Sequence, residues 1–490
     1  MKRVSLKNFQ FNSEHGEQYN RDFISYRGAV KLNETQEEVH IAIVDGSDTQ
    51  LRHDLESFHM PKKTVFFGIT KAELATFIGE TTDIEPVASK RAKENDRSIA
   101  LDSITSGAPV VNIINAICIE AIRLEASDIH IEAQAESVQI RYRIDGVMRT
   151  IKKIDKSVFY TVSNRIKIMA NLNPLEQRLP QDGRMSVTLE NITVDLRVSI
   201  IPVADGESIV LRIFNTSAKL LSLDELGFYP KELNAIKAAV KNPFGLILLT
   251  GPTGSGKTTT LHALIANLPI PDLKIITIED PVEQLIPGVN QVQINDEIDL
   301  SFDSMLRRVL RQDPNVIMVG EIRDTATAEL ALRSSLTGHL ILSTLHTNDS
   351  VSVITRLENM GLEPFLIAAV LRCSVAQRLV RKVCQSCRKN VTINKKIKSL
   401  FTKYKVEGNS MYESSGCLDC EDTGYKGRTI ISEVFMVDKA IEEMIAMQKP
   451  INEISKYALL HGMGSLAKNA LQKVADGITT IQEVEREVIF

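Results

Sequence analysis

The chain has 490 residues, 43% hydrophobic and 24% charged, an ordinary globular composition over a length too great for one core, so three or four domains are expected. Its net charge is −4 and its pI about 6.2, which excludes the global basic field of a protein whose main ligand is nucleic acid. The basic start Met1 to Lys7 is followed by the polar stretch Asn8 to Arg21, and apolar runs such as Phe365 to Leu371 fall far short of the roughly 20 residues that span a bilayer. Neither a signal peptide nor a membrane span is expected, which suggests a cytoplasmic protein that reaches any membrane through a partner or a surface patch.

Strand-like runs at Val39 to Val44 and Lys63 to Phe67, with a helical run at Lys71 to Ile78, read as a small α/β unit over 1–80. The charged stretch that follows lacks apolar periodicity and reads as a linker over 81–98. Pro109 suits the first turn of a helix that carries Val110, Ile113, Ile114, Ile117 and Leu124 near one face. A strand follows at Asp128 to Glu132. Val138, Ile140, Tyr142 and Ile144 then alternate with polar residues, Arg141 and Arg143 among them, before the hairpin signal Asp145-Gly146. Met185 to Leu189 and Val194 to Ile200 form a second ribbon around Glu190 and Asn191, with Asp195, Arg197 and Ser199 on its polar face. Arg212 lies on a third strand, Ile209 to Phe214. An arginine on one sheet face is as readily solvated surface as a ligand group.

Gly251 to Thr258 reads Gly-Pro-Thr-Gly-Ser-Gly-Lys-Thr and fits the phosphate-loop pattern at every required position. It lies between a buried strand, Gly245 to Leu249, and a helix, Thr259 to Ile265. Gly251, Gly254 and Gly256 let the backbone curl so that successive N–H groups, those of Pro252-flanked Thr253 and of Ser255 included, face the phosphates of ATP. Lys257 would reach the β- and γ-phosphates, and the Thr258 hydroxyl would ligate Mg²⁺, with Thr259 beside it.

Three further strand ends follow. Lys274 to Glu283 ends in a carboxylate cluster, with Pro281 turning the chain so that Glu279, Asp280 and Glu283 meet the C-terminal edge. Asn315 to Asp324 delivers Glu321 at a strand tip, in a Walker B role but with Gly320 where an Asp is usual. Thr337 to His346 sets His339 and His346 at opposite ends of a buried strand. Glu283, Glu321 and His346 are expected to converge on the γ-phosphate.

Cys384-x-x-Cys387 and Cys417-x-x-Cys420 form two knuckles about 29 residues apart, a spacing that suits four thiolates around a structural Zn²⁺; a lost or redox site is the alternative. Cys118 and Cys373 lie in apolar surroundings and read as core thiols. Between Glu363 and Glu407 there is no acidic residue, but many Lys and Arg. That run offsets the charge of a Zn–Cys₄ centre, offers a basic lobe to anionic lipid or an acidic partner, or does both.

Together these motifs resemble the secretion and pilus-assembly ATPases of type II secretion and type IV pilus machines. The likeness takes in Gly251 to Thr258, Thr277 to Glu283, Val319 to Asp324 and Thr337 to Asn348. Upstream it includes Ala126 to Glu132, Arg141 to Gly146, Leu179 to Arg184 and Leu211 to Ile213, and downstream both knuckles. The resemblance implies an α/β fold: a P-loop, RecA-like core with a parallel-rich sheet over 226–383, a zinc-binding insertion at 384–428 and a C-terminal helical part at 429–490. A smaller, PAS-like α/β domain over 99–225 would precede the core and bring Arg197 and Arg212 to the phosphates. It implies Glu283 as general base, Glu321 as the magnesium and water-positioning acid, and His346 as a phosphate sensor. It further implies a hexameric ring beneath an inner-membrane platform protein, a recruiting protein on the N-terminal domain, pilin-like subunits as indirect partners, and no nucleic acid. One departure is Ser208, where the family often carries a basic residue. No motif of the cyclic-di-GMP-responsive relatives is found. The alternatives are a retraction motor, whose family members lack the knuckles and the extra N-terminal unit, and a nucleic-acid-translocating P-loop ATPase, which would need a basic channel with interleaved aromatics where the basic run has only Phe401 and Tyr404.

Overall fold

The apolar run Gly245–Thr250 is buried at every residue because it runs through the middle of a sheet covered on both faces. The computed structural model describes residues 2–4, 6, 28–35, 37–44, 49–59, 62–71, 73–74, 110–189, 192–214, 220–295, 298–408 and 410–490. The expected linker at 81–98, Pro109, the turn at Glu190 and Asn191 and most of the helical run expected at Lys71 to Ile78 lie outside the described residues. The chain divides into two compact units, Met1–Asp96 and Arg97–Phe490.

In the first unit, β1 (Lys2–Arg3), β2 (Ala29–Glu34), β3 (Glu38–Ile43) and β4 (Lys63–Gly68) form one sheet in the order β1-β4-β3-β2. β3 and β4 are parallel and are joined through the helix Thr49–His59, which packs Leu51 and Leu55 against Ile41 and Ile43. The sequence pattern did not reveal β2 or this helix. β2 carries Lys31 and Glu34, paired at 2.7 Å, which break its apolar alternation.

The second unit opens with six antiparallel strands: β5 (Ala126–Ala133), β6 (Ser137–Ile144), β7 (Val147–Asp155), β8 (Gln181–Leu189), β9 (Ile192–Val203) and β10 (Gly206–Phe214). Their order is β7-β6-β5-β10-β9-β8. The helices Val110–Arg123 and Lys156–Met169 supply Ile117, Phe159, Val162 and Ile166 to a core with the inward residues of the strands, and the Tyr142 hydroxyl donates to the Ile117 carbonyl at 2.8 Å. Strict alternation leaves the arginines on the opposite face. At the β6–β7 turn Asp145 and Gly146 have φ of 49° and 82°, the left-handed pair that a tight hairpin requires. Asp145 accepts from the Gly427 amide at 3.2 Å and pairs with Arg428 at 3.3 Å, which ties this layer to the strand that follows the cysteine knuckles.

The seven-stranded sheet comprises β11 (Gly245–Thr250), β12 (Ile275–Glu279), β13 (Asn290–Gln293), β14 (Val316–Val319), β15 (Leu340–Leu345), β16 (Leu371–Val383) and β19 (Tyr425–Met436). Its order is β13-β12-β14-β15-β11-β16-β19, parallel throughout except for β19. This is the parallel-rich α/β core that the phosphate-loop context predicts. The cysteine lobe is inserted between β16 and β19, with a two-stranded ribbon, β17 (Arg388–Val391) and β18 (Met411–Ser414), and the helix Lys395–Tyr404. The final stretch begins inside β19 and carries four helices. Among the described residues no helix is long and apolar enough to cross a membrane.

Lys167 and Glu207 form a buried ion pair at 2.6 Å in the six-stranded layer; Ser163 also donates to Glu207, and Lys167 to the Glu176 carbonyl. Removing one partner strands a charge in a low dielectric. Lys167→Met is therefore expected to lower unfolding free energy by about 3–5 kcal/mol, with most of it regained in the Lys167→Met, Glu207→Leu double variant. Denaturant melts of the full chain check this. A loss below about 1 kcal/mol in the single variant contradicts it.

Candidate nucleotide site

β11 ends at Thr250, and the loop Gly251 to Gly256 turns into the helix Lys257–Ala266. Gly251, Gly254 and Gly256 have φ of 144°, 79° and 84°, where L side chains are strained. A Cβ on Gly251 would also stand 2.5 Å from the Gln377 carbonyl and 2.8 Å from Ser255 Oγ. Lys257 Nζ donates to the Gly251 and Pro252 carbonyls at 2.9 and 3.0 Å. The lysine therefore ties the start of the loop to the helix that follows it. Burial lowers its pKa, with Glu321 opposing that shift. Pro252, Thr253 and Thr259 are exposed, and Thr258 is half-buried in the first helical turn.

Glu321 follows the tip of β14 and accepts from Arg323 Nε at 2.6 Å; His346, past the tip of β15, places Nε2 3.5 Å from its other oxygen. Arg323 also reaches Asp280 at 3.4 Å and stacks over Phe302. Glu321 and His346 thus meet beside the loop. His339 does not join them, because it sits at the other end of β15 and bonds the Ser334 carbonyl at 2.9 Å.

The carboxylates after β12 separate. Glu279 is buried, held by His262 at 2.9 Å, Thr277 at 2.5 Å and Gln291 at 3.0 Å; burial works against its charge, but these donors win and lower its pKa. It faces the protein interior rather than the edge at which the sequence pattern aims it. Among the described residues Glu283 has no such donors; its side chain is exposed, but the surrounding chain crowds it and raises its pKa, with His262 and Arg212 pulling down and Glu279 pushing up.

Arg212 reaches that carboxylate electrostatically from the neighbouring layer. On β10 it stands opposite Arg197 of β9, which stands opposite Arg184 of β8; on its other side is Asp128 of β5. Asp128 accepts from Arg212 at 2.9 Å and lies 3.5 Å from Arg143. Among the described residues no carboxylate pairs with Arg184 or Arg197. Like charges directly across strands destabilise a sheet, and this row concentrates positive charge on the exposed face of the layer. Sequence reasoning missed Arg184 and Arg323 as site residues, although both lie in stretches it had marked; the strand pairing that aligns Arg184 is not visible from spacing.

The four knuckle sulfurs lie within 4.8 Å of one another. Cys384–Cys417 and Cys387–Cys420 are 3.8 Å apart and Cys417–Cys420 3.6 Å. These are too long for disulfides and match the roughly 3.8 Å edge of a tetrahedron with 2.3 Å metal–sulfur bonds. Burial disfavours the Cys420 thiolate, but the Gly424 and Cys417 amides donate to its sulfur, each at 3.2 Å, and bring its pKa to about 7. Cys118 and Cys373 are buried core thiols. Much of the basic run is consumed internally: Arg381 grips Glu483 and stacks on Tyr425, Arg388 stacks on Tyr412, Arg378 is buried, and Lys396 pairs with Glu485. Lys382, Lys389, Lys395, Lys398, Lys403 and Lys405 remain exposed.

Residues 103–486 match the family described as Type II/IV secretion system protein. The chain is 40% identical over 449 residues to the type IV pilus assembly ATPase PilB of Myxococcus xanthus, covering 91% of this chain and 77% of that protein. It is 43% identical over 379 residues to the type II secretion system ATPase E of Vibrio cholerae, covering 77% and 75%. Among solved structures it resembles the pilus retraction motor PilT with bound ADP (TM-score 0.51, 25% identity, 77% of this chain and 97% of that one). For the fold alone, it also resembles the ATPase DotB of Legionella pneumophila (TM-score 0.57, 20% identity, 76% and 94%).

Proposed function

The chain belongs to the type II/IV secretion system protein family, and we propose that it is an ATP-hydrolysing hexameric motor that powers assembly of a type IV pilus or a type II secretion pseudopilus through an inner-membrane platform protein. The observation that supports this reading is the approach of His346 to Glu321 past the tips of β15 and β14, beside Lys257 of the loop that follows β11. The N–H groups of Gly254 to Thr258 receive the phosphates. Lys257 leaves the Gly251 and Pro252 carbonyls to meet the β- and γ-phosphates. Mg²⁺, held by Thr258 and Glu321, neutralises phosphate charge when bound. Glu321 exchanges Arg323 for that task. Glu283 takes the proton of the attacking water, and its raised pKa makes it a stronger base. His346 links the γ-phosphate to Glu321. Arg212 and Arg197 supply positive charge from the other layer as it closes over ATP, and closure is the power stroke. Four thiolates hold Zn²⁺ and keep the lobe between β16 and β19 in shape for the platform. The N-terminal unit binds a recruiting protein, and the chain works from the cytoplasmic side, attached peripherally, with no role for nucleic acid. A retraction motor is the second reading, favoured by the likeness to PilT; the cysteine lobe argues against it.

Lys257→Ala is expected to abolish phosphate binding, and Glu321→Ala to abolish turnover while nucleotide still binds. Nucleotide affinity and phosphate release measured on both variants decide it. Near-native turnover of Glu321→Ala at saturating ATP removes Glu321 from the chemical step. Because Glu283 must be ionised and its pKa lies above the ordinary 4.5, the acid limb of the pH–rate profile is expected above that value, with activity lost as pH falls through it.

Charge removal at Arg212 or Arg197 is expected to cut turnover by up to about 10³-fold, with a smaller change in nucleotide binding. Single-turnover rates, together with ATP-dependent closure followed by a distance probe between the layers, test this. Unchanged rate and closure would reduce both arginines to solvated surface.

Cys417→Ser leaves three ligands. Metal content is expected to drop well below one Zn per chain and fibre assembly to fail, while nucleotide binding persists. Metal analysis of protein purified without chelator or affinity metal is the check. A folded lobe with no zinc and four freely reactive thiols would sink the zinc assignment.

A further inference from the structure

The phosphate loop needs its N–H groups turned inward, and each inward N–H implies that the carbonyl preceding it in the same peptide faces outward, because the two are opposed across a trans bond. Those outward carbonyls then need donors. Lys257 serves Gly251 and Pro252. The carbonyl of Ser255 is served from another element: Gln377, on β16, donates its Nε2 at 2.8 Å. The Gln377 side chain is fully buried, and among the described residues its Oε1 has no hydrogen-bond partner and its side chain makes one polar contact, the one to the loop.

Gln377 is itself braced. Arg378, the next residue, donates to the Gln377 carbonyl at 2.9 Å and to the Asn348 carbonyl, two residues beyond His346, at 3.0 Å. On the other side Thr250 Oγ1 accepts from the Thr347 amide at 2.7 Å. β16 is paired in parallel with β11 along its first half, which fixes Gln377 beside the loop. A methyl on Gly256 would come within 3.4 Å of Gln377 Nε2. The amide is thus seated directly behind the Ser255–Gly256 peptide.

We propose that Gln377 is a positioning residue for nucleotide binding: by holding the Ser255 carbonyl back against β16, its side-chain amide keeps the Gly256 N–H turned into the phosphate cradle. The inference rests on the reading that Gly251 to Thr258 binds the phosphates. It assigns the job to a residue more than 120 positions away in the chain that touches neither phosphate nor metal.

The test is calorimetric binding of MgADP to the full-length chain at pH 8 and pH 6, with every variant expressed relative to the parental chain at the same pH. Gln377→Met fills the space without a donor and is expected to weaken binding about tenfold at both pH values, the loss of one well-placed hydrogen bond. Gln377→Glu discriminates further. At pH 8 an ionised carboxylate would face the Ser255 carbonyl, and binding is expected to be weaker than for the methionine variant. Burial raises such a carboxyl by roughly 3 units, to between pH 6 and pH 8, so at pH 6 it is protonated and can donate its O–H to that carbonyl. Affinity is then expected to recover past that of Gln377→Met. A side chain that merely fills space gives no such recovery.

Binding of MgADP to Gln377→Met within twofold of the parental chain, or a glutamate variant whose relative affinity is the same at both pH values, overturns the inference. If the methionine variant does not fold, the pH response of Gln377→Glu decides alone. Failure of the parental chain to bind MgADP would instead count against the phosphate-loop reading itself.

Discussion

A phosphate-binding loop made of backbone must keep its carbonyl oxygens away from the anion, and much of the core around Gly251 to Gly256 is arranged to meet that demand. Each outward carbonyl that is satisfied recruits a different part of the chain: Lys257 from the following helix, and Gln377 from β16. Thr347 and Arg378 then join the loop after β15 to β11 and β16. The parallel order β15-β11-β16 is what brings these donors within reach. Three glycines at positive φ are its local consequence, and the 2.5 Å approach of the Gln377 carbonyl to a virtual Cβ on Gly251 shows how closely the neighbouring strand is applied.

The acidic groups near the loop illustrate how environment sorts chemically similar residues. Glu279 and Glu283 are four positions apart in one motif, yet three donors keep the first charged and structural, while the second, exposed but crowded by the surrounding chain, finds no donor among the described residues and has its pKa raised. Glu321 is balanced differently again, between Arg323 and His346. A general base benefits from the second environment and a cation ligand from the third. The environment of each carboxylate is set by hydrogen bonding and its neighbours, not by residue type.

Legibility in the sequence followed the strength of local patterning. The run Gly245 to Thr258 was readable because a buried strand, a glycine-rich turn and a helix start all coincide there. β6 and β10 were readable because strict alternation survives along them. β7, the helix Lys156–Met169 and the helix Thr49–His59 were not, since basic and polar residues scattered along them mask the apolar face and only tertiary packing supplies it. Of the candidate site, the residues at strand tips could be named because a parallel sheet gathers tips at one edge. Arg184 and Gln377 could not, because each owes its place to pairing with a strand distant in sequence. Glu279 was misjudged because the direction of a side chain at a strand end depends on which buried donor it meets, here His262.

The cysteine lobe is not remote from the loop in mechanical terms. β16 holds Ser255 through Gln377 and runs seven residues further to Cys384, while Arg381 on the same strand grips Glu483 of the last helix and stacks on Tyr425, the first residue of β19. β19 in turn presents Gly427 and Arg428 to Asp145, the hairpin tip of the arginine-bearing layer. A paired strand is stiff along its length because every displacement strains a ladder of hydrogen bonds. β16 and β19 therefore link the loop to the lobe, and Asp145 is a point at which the layer carrying Arg197 and Arg212 touches that link. Arg378 and Arg381 of the basic run are spent on building that link, whereas Lys382, Lys389, Lys395, Lys398, Lys403 and Lys405 stay exposed.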